Sequence, residues 1–209
     1  MWSAHDVPET TEVRVRKQWL GCLVGGIVLF ASPSAWAGHP QERQGFWIGL
    51  GGGYGSAGVG CDDCDGEREG AFAGSFKLGG TLNERVLLGV ESNGWIKEQE
   101  GVTLTLGSLT GTVTFYPQAS SGFFLKGGVG LSYISTDFSE GSLSVSISKT
   151  GWGVLAGLGY DLRVGRNISL TPAVNYYYGK PGDIDFEGET VFGGWSQNVV
   201  SFEIGITFH

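Results

Sequence analysis

Histidine is nearly missing from this chain of 209 residues: there are three, His5, His39 and His209. None falls in a strand-like segment where an imidazole could be held against a serine as general base. The composition therefore argues against histidine-dependent hydrolase chemistry. Proline is scarce as well, six residues against 38 glycines, and the glycines follow neither the G-X-Y period of collagen nor a polar low-complexity tract. Glycine within strands is the remaining reading. Basic charge is in deficit, with 13 Lys and Arg against 21 Asp and Glu for a net charge of −8, which excludes the electrostatic footprint of a nucleic-acid-binding protein. Glycine runs such as Gly51-Gly52-Gly53 lack the following helix that a phosphate cradle needs. No long apolar run occurs after Ala31, so no transmembrane helix is expected there. A membrane role would have to be carried by strands.

The first 37 residues differ from the rest. Arg14, Arg16 and Lys17 precede an apolar run from Trp19 to Ala31, followed by Ser34-Ala35-Trp36-Ala37. This is the order of a cleavable signal peptide, with cleavage predicted after Ala37, and the run is shorter than the roughly 20 residues a spanning helix requires. Cys22 sits near the start of the run rather than at its end, where a lipoprotein would need it. The leader carries Asp6, Glu9 and Glu12 against those three bases, so its removal leaves the charge at −8. The predicted organisation is a signal peptide over 1–37, a short segment over 38–44 and one domain over 45–209.

From Phe46 onward apolar residues recur at every second position, the signature of strands with two different faces. Phe46, Ile48, Leu50 and Tyr54 oppose Trp47, Gly49, Gly51 and Gly53; Phe72, Phe76 and Leu78 oppose Ala73, Ser75 and Lys77. Leu88 and Val90 oppose Gly89 and Glu91, and Leu125, Val129 and Leu131 oppose Lys126, Gly128 and Gly130. Val154, Leu158 and Tyr160 oppose Gly153, Gly157 and Asp161, with Leu155 out of pattern. Leu170, Val174 and Tyr176 form the face of a seventh segment, and Phe202, Ile204 and Ile206 oppose Ser201, Glu203 and Gly205 in the eighth. The fourth segment, 102–116, changes parity between Leu106 and Leu109, and a β-bulge near Gly107 would reconcile its halves.

One face is thus large and apolar, the other small and polar with isolated charges. If the apolar face were buried, the outside would be glycine and hydroxyls, too poor in charge for a soluble surface. Placing the apolar face in lipid fits better, because the lumen of eight strands is barely wide enough for side chains. Aromatics near strand ends (Trp47, Tyr54, Trp95, Tyr116, Phe123, Tyr133, Trp152, Tyr160, Tyr176, Tyr178, Phe208) supply candidates for interfacial girdles. Connections alternate: long at 56–70, 137–149 and 180–196, short at 83–85, 117–121 and 165–167, with a fourth outer connection, 98–101, unexpectedly short. That alternation predicts periplasmic N- and C-termini with the longer loops outside.

These segments, the strand motifs Gly128-Val129-Gly130-Leu131 and Gly157-Leu158-Gly159-Tyr160-Asp161-Leu162, and the final Ile204-Gly205-Ile206-Thr207-Phe208 resemble the small outer-membrane β-barrel family. That family includes the OmpX and Opa proteins and the OmpA membrane domain. The resemblance implies an all-β fold, an eight-stranded antiparallel up-and-down transmembrane β-barrel, in the outer membrane of a Gram-negative bacterium. It implies contact with outer-membrane lipid and lipopolysaccharide, and with the assembly machinery that reads a terminal aromatic residue; here His209 follows Phe208.

The polar face also carries Lys77, Glu91, Lys97, Lys126, Asp161, Arg163 and Glu203. Charges enclosed in a narrow barrel must pair, and Glu91 and Glu203 are expected to meet Lys77 and Lys126 in a lumen network, either a structural plug or a gated ion path. Cys61 and Cys64, flanking two aspartates, would most simply close a small loop disulfide in an oxidising compartment. Metal binding and redox chemistry are the alternatives, although the spacing matches neither an EF-hand nor a βαβ redox motif. Asp183, Asp185, Glu187 and Glu189 add acid to the last long loop. No catalytic residue, cofactor or metal is expected. The sequence reads as a monomeric, non-enzymatic surface protein whose loops serve envelope integrity, adhesion or host contact. A small ion channel and a soluble periplasmic ligand-binding barrel are the competing classes.

Overall fold

A computed structural model describes residues 40–60, 67–99, 101–140, 143–181, 184–186, 189–192 and 195–209. The predicted signal peptide and the pair Cys61 and Cys64 lie outside the described residues. Eleven strands follow in order: β1 (Phe46–Gly60), β2 (Glu69–Asn83), β3 (Val86–Gln99), β4 (Val102–Phe115), β5 (Phe123–Glu140), β6 (Leu143–Tyr160), β7 (Leu162–Arg163), β8 (Ile168–Lys180), β9 (Ile184–Phe186), β10 (Glu189–Phe192) and β11 (Ser196–Phe208). Each long strand pairs antiparallel with its neighbours in sequence, and β11 pairs with both β8 and β1, which closes the sheet into a barrel. The eight staves are β1–β6, β8 and β11. The two-residue β7 continues the sixth stave beyond Asp161, and β9 and β10 form a separate hairpin in the last long connection.

Alternation of side chains across each stave decides what the barrel shows outside. Leu50, Val129, Phe202 and Ile204 are all more than half exposed, and similar residues continue around the wall. Such a continuous apolar exterior suits hydrocarbon rather than water, so the reversed, soluble arrangement is not the one adopted. Phe46, Phe115, Phe123, Tyr160 and Phe208 stand outward near the short-turn end, and Tyr54, Phe72 and Trp152 toward the other. Trp152 stacks obliquely on Tyr178, ring centroids 5.9 Å apart. Three aromatics counted as girdle candidates are not on this surface. Trp47, Trp95 and Tyr116 are buried in the lumen.

Two connections differ from expectation. The segment 137–149 is mostly ladder rather than loop: β5 and β6 remain paired up to Glu140 and Leu143. Its second half alternates Leu143, Val145 and Ile147 with serines, the period of a strand that continues the ladder. Likewise β1 runs to Gly60, into the connection expected at 56–70, paired there with Ser196 at the start of β11. The β3–β4 turn is as tight as expected, with Gln99 opposite Val102. Gly101 has φ +81° there, in the left-handed region that favours glycine.

The expected bulge near Gly107 is absent. The register of β4 runs without a break against β3 and β5, and the irregularity falls instead between Thr81 and Asn83. Parity changes in β4 because its inward face changes chemistry: Thr110 and Thr112 point into the lumen lower down, and Leu106 points into the same lumen higher up.

Candidate functional site

The lumen is where the chain concentrates its charge, and the first stave shapes it. On β1 the inward positions Gly49, Gly51 and Gly55 leave a smooth wall. A Cβ at Gly49 would stand 2.6 Å from Cε of Lys77, and one at Gly51 2.8 Å from Oγ of Ser75 and 3.0 Å from Oε2 of Glu203. One at Gly55 would meet the Trp95 ring at 3.0 Å. Glycine here is space for the side chains of other staves.

Three layers fill that space. In the middle, Lys126 Nζ lies 2.5 Å from Glu91 Oε1, with both side chains buried. Glu203 accepts hydrogen bonds from Ser75 Oγ at 2.5 Å, Ser201 Oγ at 2.7 Å and Asn175 Nδ2 at 3.0 Å. The expected approach of a lysine ammonium to Glu203 is therefore not made: neutral donors on β2, β8 and β11 itself occupy both its oxygens. Lys77, opposite Glu91 in register, instead carries its ammonium to 5.6 Å from the Phe124 ring centroid. Of the four expected network members, only Lys126 and Glu91 form an ion pair. Lys97 lies higher, paired with Glu69 at 2.5 Å.

Above this layer, toward the long connections, Trp95, Leu106, Leu155, Tyr177, Val199, Ala57 and Ala73 form an apolar lid. Trp95 donates its indole N–H to the Gly55 carbonyl at 3.0 Å, and Gln197 donates to Ser132 Oγ at 2.7 Å. Below it, Trp47, Leu87, Tyr116, Phe124 and Ala173 form a floor. A Cβ at Gly89 would stand 2.6 Å from the Trp47 ring, so that glycine admits the indole.

Beneath the floor the N-terminal segment straps the barrel shut. The Arg43 guanidinium donates to the carbonyls of Ala119 (3.0 Å) and Ser121 (2.7 Å) and lies 3.5 Å from the Tyr116 ring centroid. Gln41 donates to the Asp161 carbonyl at 3.0 Å, and Arg163 donates to the Glu42 carbonyl. The Asp161 carboxylate, between β6 and β7, accepts from Tyr116 Oη at 2.6 Å and Thr171 Oγ1 at 2.7 Å. His209 Nε2 stands 3.7 Å away, an ion-pair separation rather than a hydrogen bond. Burial pushes the Asp161 carboxyl up, but His209, Lys77, Tyr116 and Thr171 outweigh it and hold it at about 2. Burial and the neighbouring Asp161 charge push the Tyr116 phenol well above its ordinary value.

A closed eight-stave barrel with an apolar wall and a polar, packed lumen is the architecture of small bacterial outer-membrane proteins. The sequence profile of the family described as "outer membrane protein beta-barrel domain" matches residues 23–208. The chain belongs to that family. This outer-membrane barrel is similar in fold to Neisserial surface protein A, with 16% identity over 80% of this chain and 98% of that one and a TM-score of 0.54. It is similar to Ail, the attachment invasion locus protein of Yersinia pestis, with 18% identity over 79% and 99% and a TM-score of 0.55. Ail in complex with the heparin analogue sucrose octasulfate matches at 18% identity over the same shares, TM-score 0.53. At these identities the likeness is one of fold. No curated protein matches the chain.

For the outer-membrane barrel, the layers set what the lumen can do. A cavity of about 10 Å³ lies beside Gly51, Ser75, Lys77, Lys126, Asn175 and Glu203, far below the several hundred Å³ of an ordinary small-molecule site. Among the described residues, no three His, Cys, Asp or Glu side chains converge on a point. The lid, the floor and the strap are what sequence reasoning missed. Their signal was present in part, in the inward parity of Trp47 and the displaced parity of Leu155.

Proposed function

We propose that this outer-membrane barrel is a non-enzymatic, non-conducting scaffold whose long-connection end faces outward and makes the contacts of the cell surface. The observation that carries this reading is the packed lumen: an apolar lid and an apolar floor flank a polar layer whose cavity beside Glu203 measures about 10 Å³. Bulk diffusion needs a continuous aqueous path, and an eight-stave lumen is just wide enough for side chains to fill. A second feature supports surface contact. The hairpin of β5 and β6 continues to Glu140 and Leu143, whereas β6 meets β8 only from Trp152, opposite Lys180. Among the described residues, β6 above Trp152 therefore has an edge without a partner strand, a place where an extended partner segment can add.

In this reading the chain is a monomer with its N-terminal strap and C-terminus periplasmic. Lipid and lipopolysaccharide cover the apolar band, and the assembly machinery reads the terminal strand ending in Phe208. The decisive experiment is single-channel recording of the reconstituted barrel, with folding checked by an unheated-versus-boiled shift on SDS gels. Baseline current from folded protein is the expected result; steady ohmic steps would overturn the scaffold reading in favour of a channel. Impermeant thiol reagents on intact cells should label a cysteine placed at Thr103, in the β3–β4 turn region, and not one placed at Arg166.

A further inference from the structure

The middle layer of the lumen contains polar groups that the protein itself leaves unmatched. Asn175 is fully buried. Its amide nitrogen donates to Glu203 Oε1, an orientation the carboxylate enforces, because the reversed amide would set oxygen against oxygen. Oδ1 is thereby turned away from Glu203 and has no partner within the protein. An unmatched buried carbonyl costs about 1–3 kcal/mol. Across the same space Lys77 brings three ammonium donors, with the Phe124 ring 5.6 Å from its nitrogen and, among the described residues, no hydrogen bond or ion pair to a carboxylate. The space between them is the cavity of about 10 Å³, lined by Lys77, Lys126, Asn175, Glu203, Ser75 and Gly51.

That volume is at the lower bound for one water molecule, and a water is held where it finds two to four polar partners. Donors stand on one side, Lys77 and Lys126, and acceptors on the other, Asn175 Oδ1 and Glu203. Three charged side chains line the cavity, Lys77, Lys126 and Glu203, and Glu91, bound to Lys126 outside the lining, offsets the second ammonium; a cation would face two ammonium groups, and an anion the Glu203 carboxylate. Gly157 borders the same place, since a Cβ there would stand 2.8 Å from both Asn175 Oδ1 and Lys126 Cε.

We propose that this cavity is a binding site for a single ordered water, which accepts from Lys77 and donates to Asn175 Oδ1. The water joins Lys77 to the cluster of Ser75, Ser201, Asn175 and Glu203, beside the direct Lys126–Glu91 pair. This goes beyond the scaffold reading and does not depend on what the loops contact. It also restores, through solvent, the link between Lys77 and Glu203 that no direct contact makes.

The test is a crystal structure of the refolded barrel grown from bromide salts. The expected result is one density peak within hydrogen-bonding distance of Lys77 Nζ and Asn175 Oδ1, without anomalous signal. An anomalous bromide peak at that position would overturn the proposal in favour of an anion site. No peak, in a map that resolves ordered water elsewhere in the lumen or on the barrel ends, would overturn it as a dry cavity. Asn175→Leu supplies a second measurement: the peak should vanish while the heat-dependent gel shift persists, and a peak unchanged in the variant would equally count against the assignment. Conductance plays no part in either outcome.

Discussion

At the residue scale the lumen is governed by pairs in which a glycine on one stave makes room for a long side chain on another, as Gly49 does for Lys77. Enclosure makes the Lys126–Glu91 pair asymmetric in its response to mutation. Removing one partner leaves an uncompensated buried charge, which costs about 3–5 kcal/mol, whereas replacing both with apolar residues of similar size is often neutral. Lys126→Met alone and Glu91→Leu alone should therefore lower unfolding stability in urea by about that amount. The double variant should recover most of it, and equal losses in all three would show that the pair is not the source. Asp161 supplies a pH dependence. Its folded value of about 2 lies below the ordinary 3.8, so its contribution is present above pH ~4 and is lost as pH falls through about 2, amounting to about 2 kcal/mol. Stability measured between pH 5 and pH 2 should fall in the parent and be flatter in Asp161→Asn. Parallel curves would remove Asp161 as the cause.

At the scale of the element, Val129 and Leu155 test which side of a stave faces lipid. Val129 on β5 is 70% exposed, and Leu155 is buried in the lid although it lies next to outward-facing residues on β6. Val129→Arg should cost roughly 2–4 kcal/mol, as charge near the bilayer midplane does, and quenching of tryptophan by lipid-borne bromine in Val129→Trp should be strong. Leu155→Trp should be quenched weakly; strong quenching there would reverse the assigned faces. These residues also show what the sequence made legible. Period-two patterning revealed all eight staves and the exterior, because one face is uniformly apolar over the membrane. It could not separate lid from wall, since Leu104, Leu106 and Leu155 are chemically the same residues as those outside. No bulge at Gly107 is needed, because the parity change comes from an apolar layer inside the lumen. The upper ladder of β5 and β6 was legible on one arm, where Leu143, Val145 and Ile147 alternate with Ser144, Ser146 and Ser148, but on the other arm Asp137, Ser139 and Glu140 read as loop. The strap made by Gln41, Glu42 and Arg43 had none, because it depends on carbonyls at Ala119 and Ser121 that only the closed fold brings near.

For the whole molecule, the scaffold reading has the lid and the floor act in series along one narrow axis, so that the proposed seal would be insensitive to damage at either end. A hydrophobic constriction blocks ions by excluding continuous water, and one such layer is enough. Trp95→Ala with Leu106→Ala thins the lid, but a path entering from above still meets Trp47, Leu87, Tyr116 and Phe124. Leu87→Ala with Phe124→Ala thins the floor, but a path from below still meets Tyr177, Leu155 and Val199. Each pair of changes removes several kcal/mol of buried packing, so both should lower unfolding stability while the barrel, held by its ladder, keeps its gel shift. Conductance should stay at baseline in either double variant and appear only when all four changes are combined. Current in the lid variant alone would mean that the floor is not a barrier, and that the single seal lies among Trp95 and its neighbours.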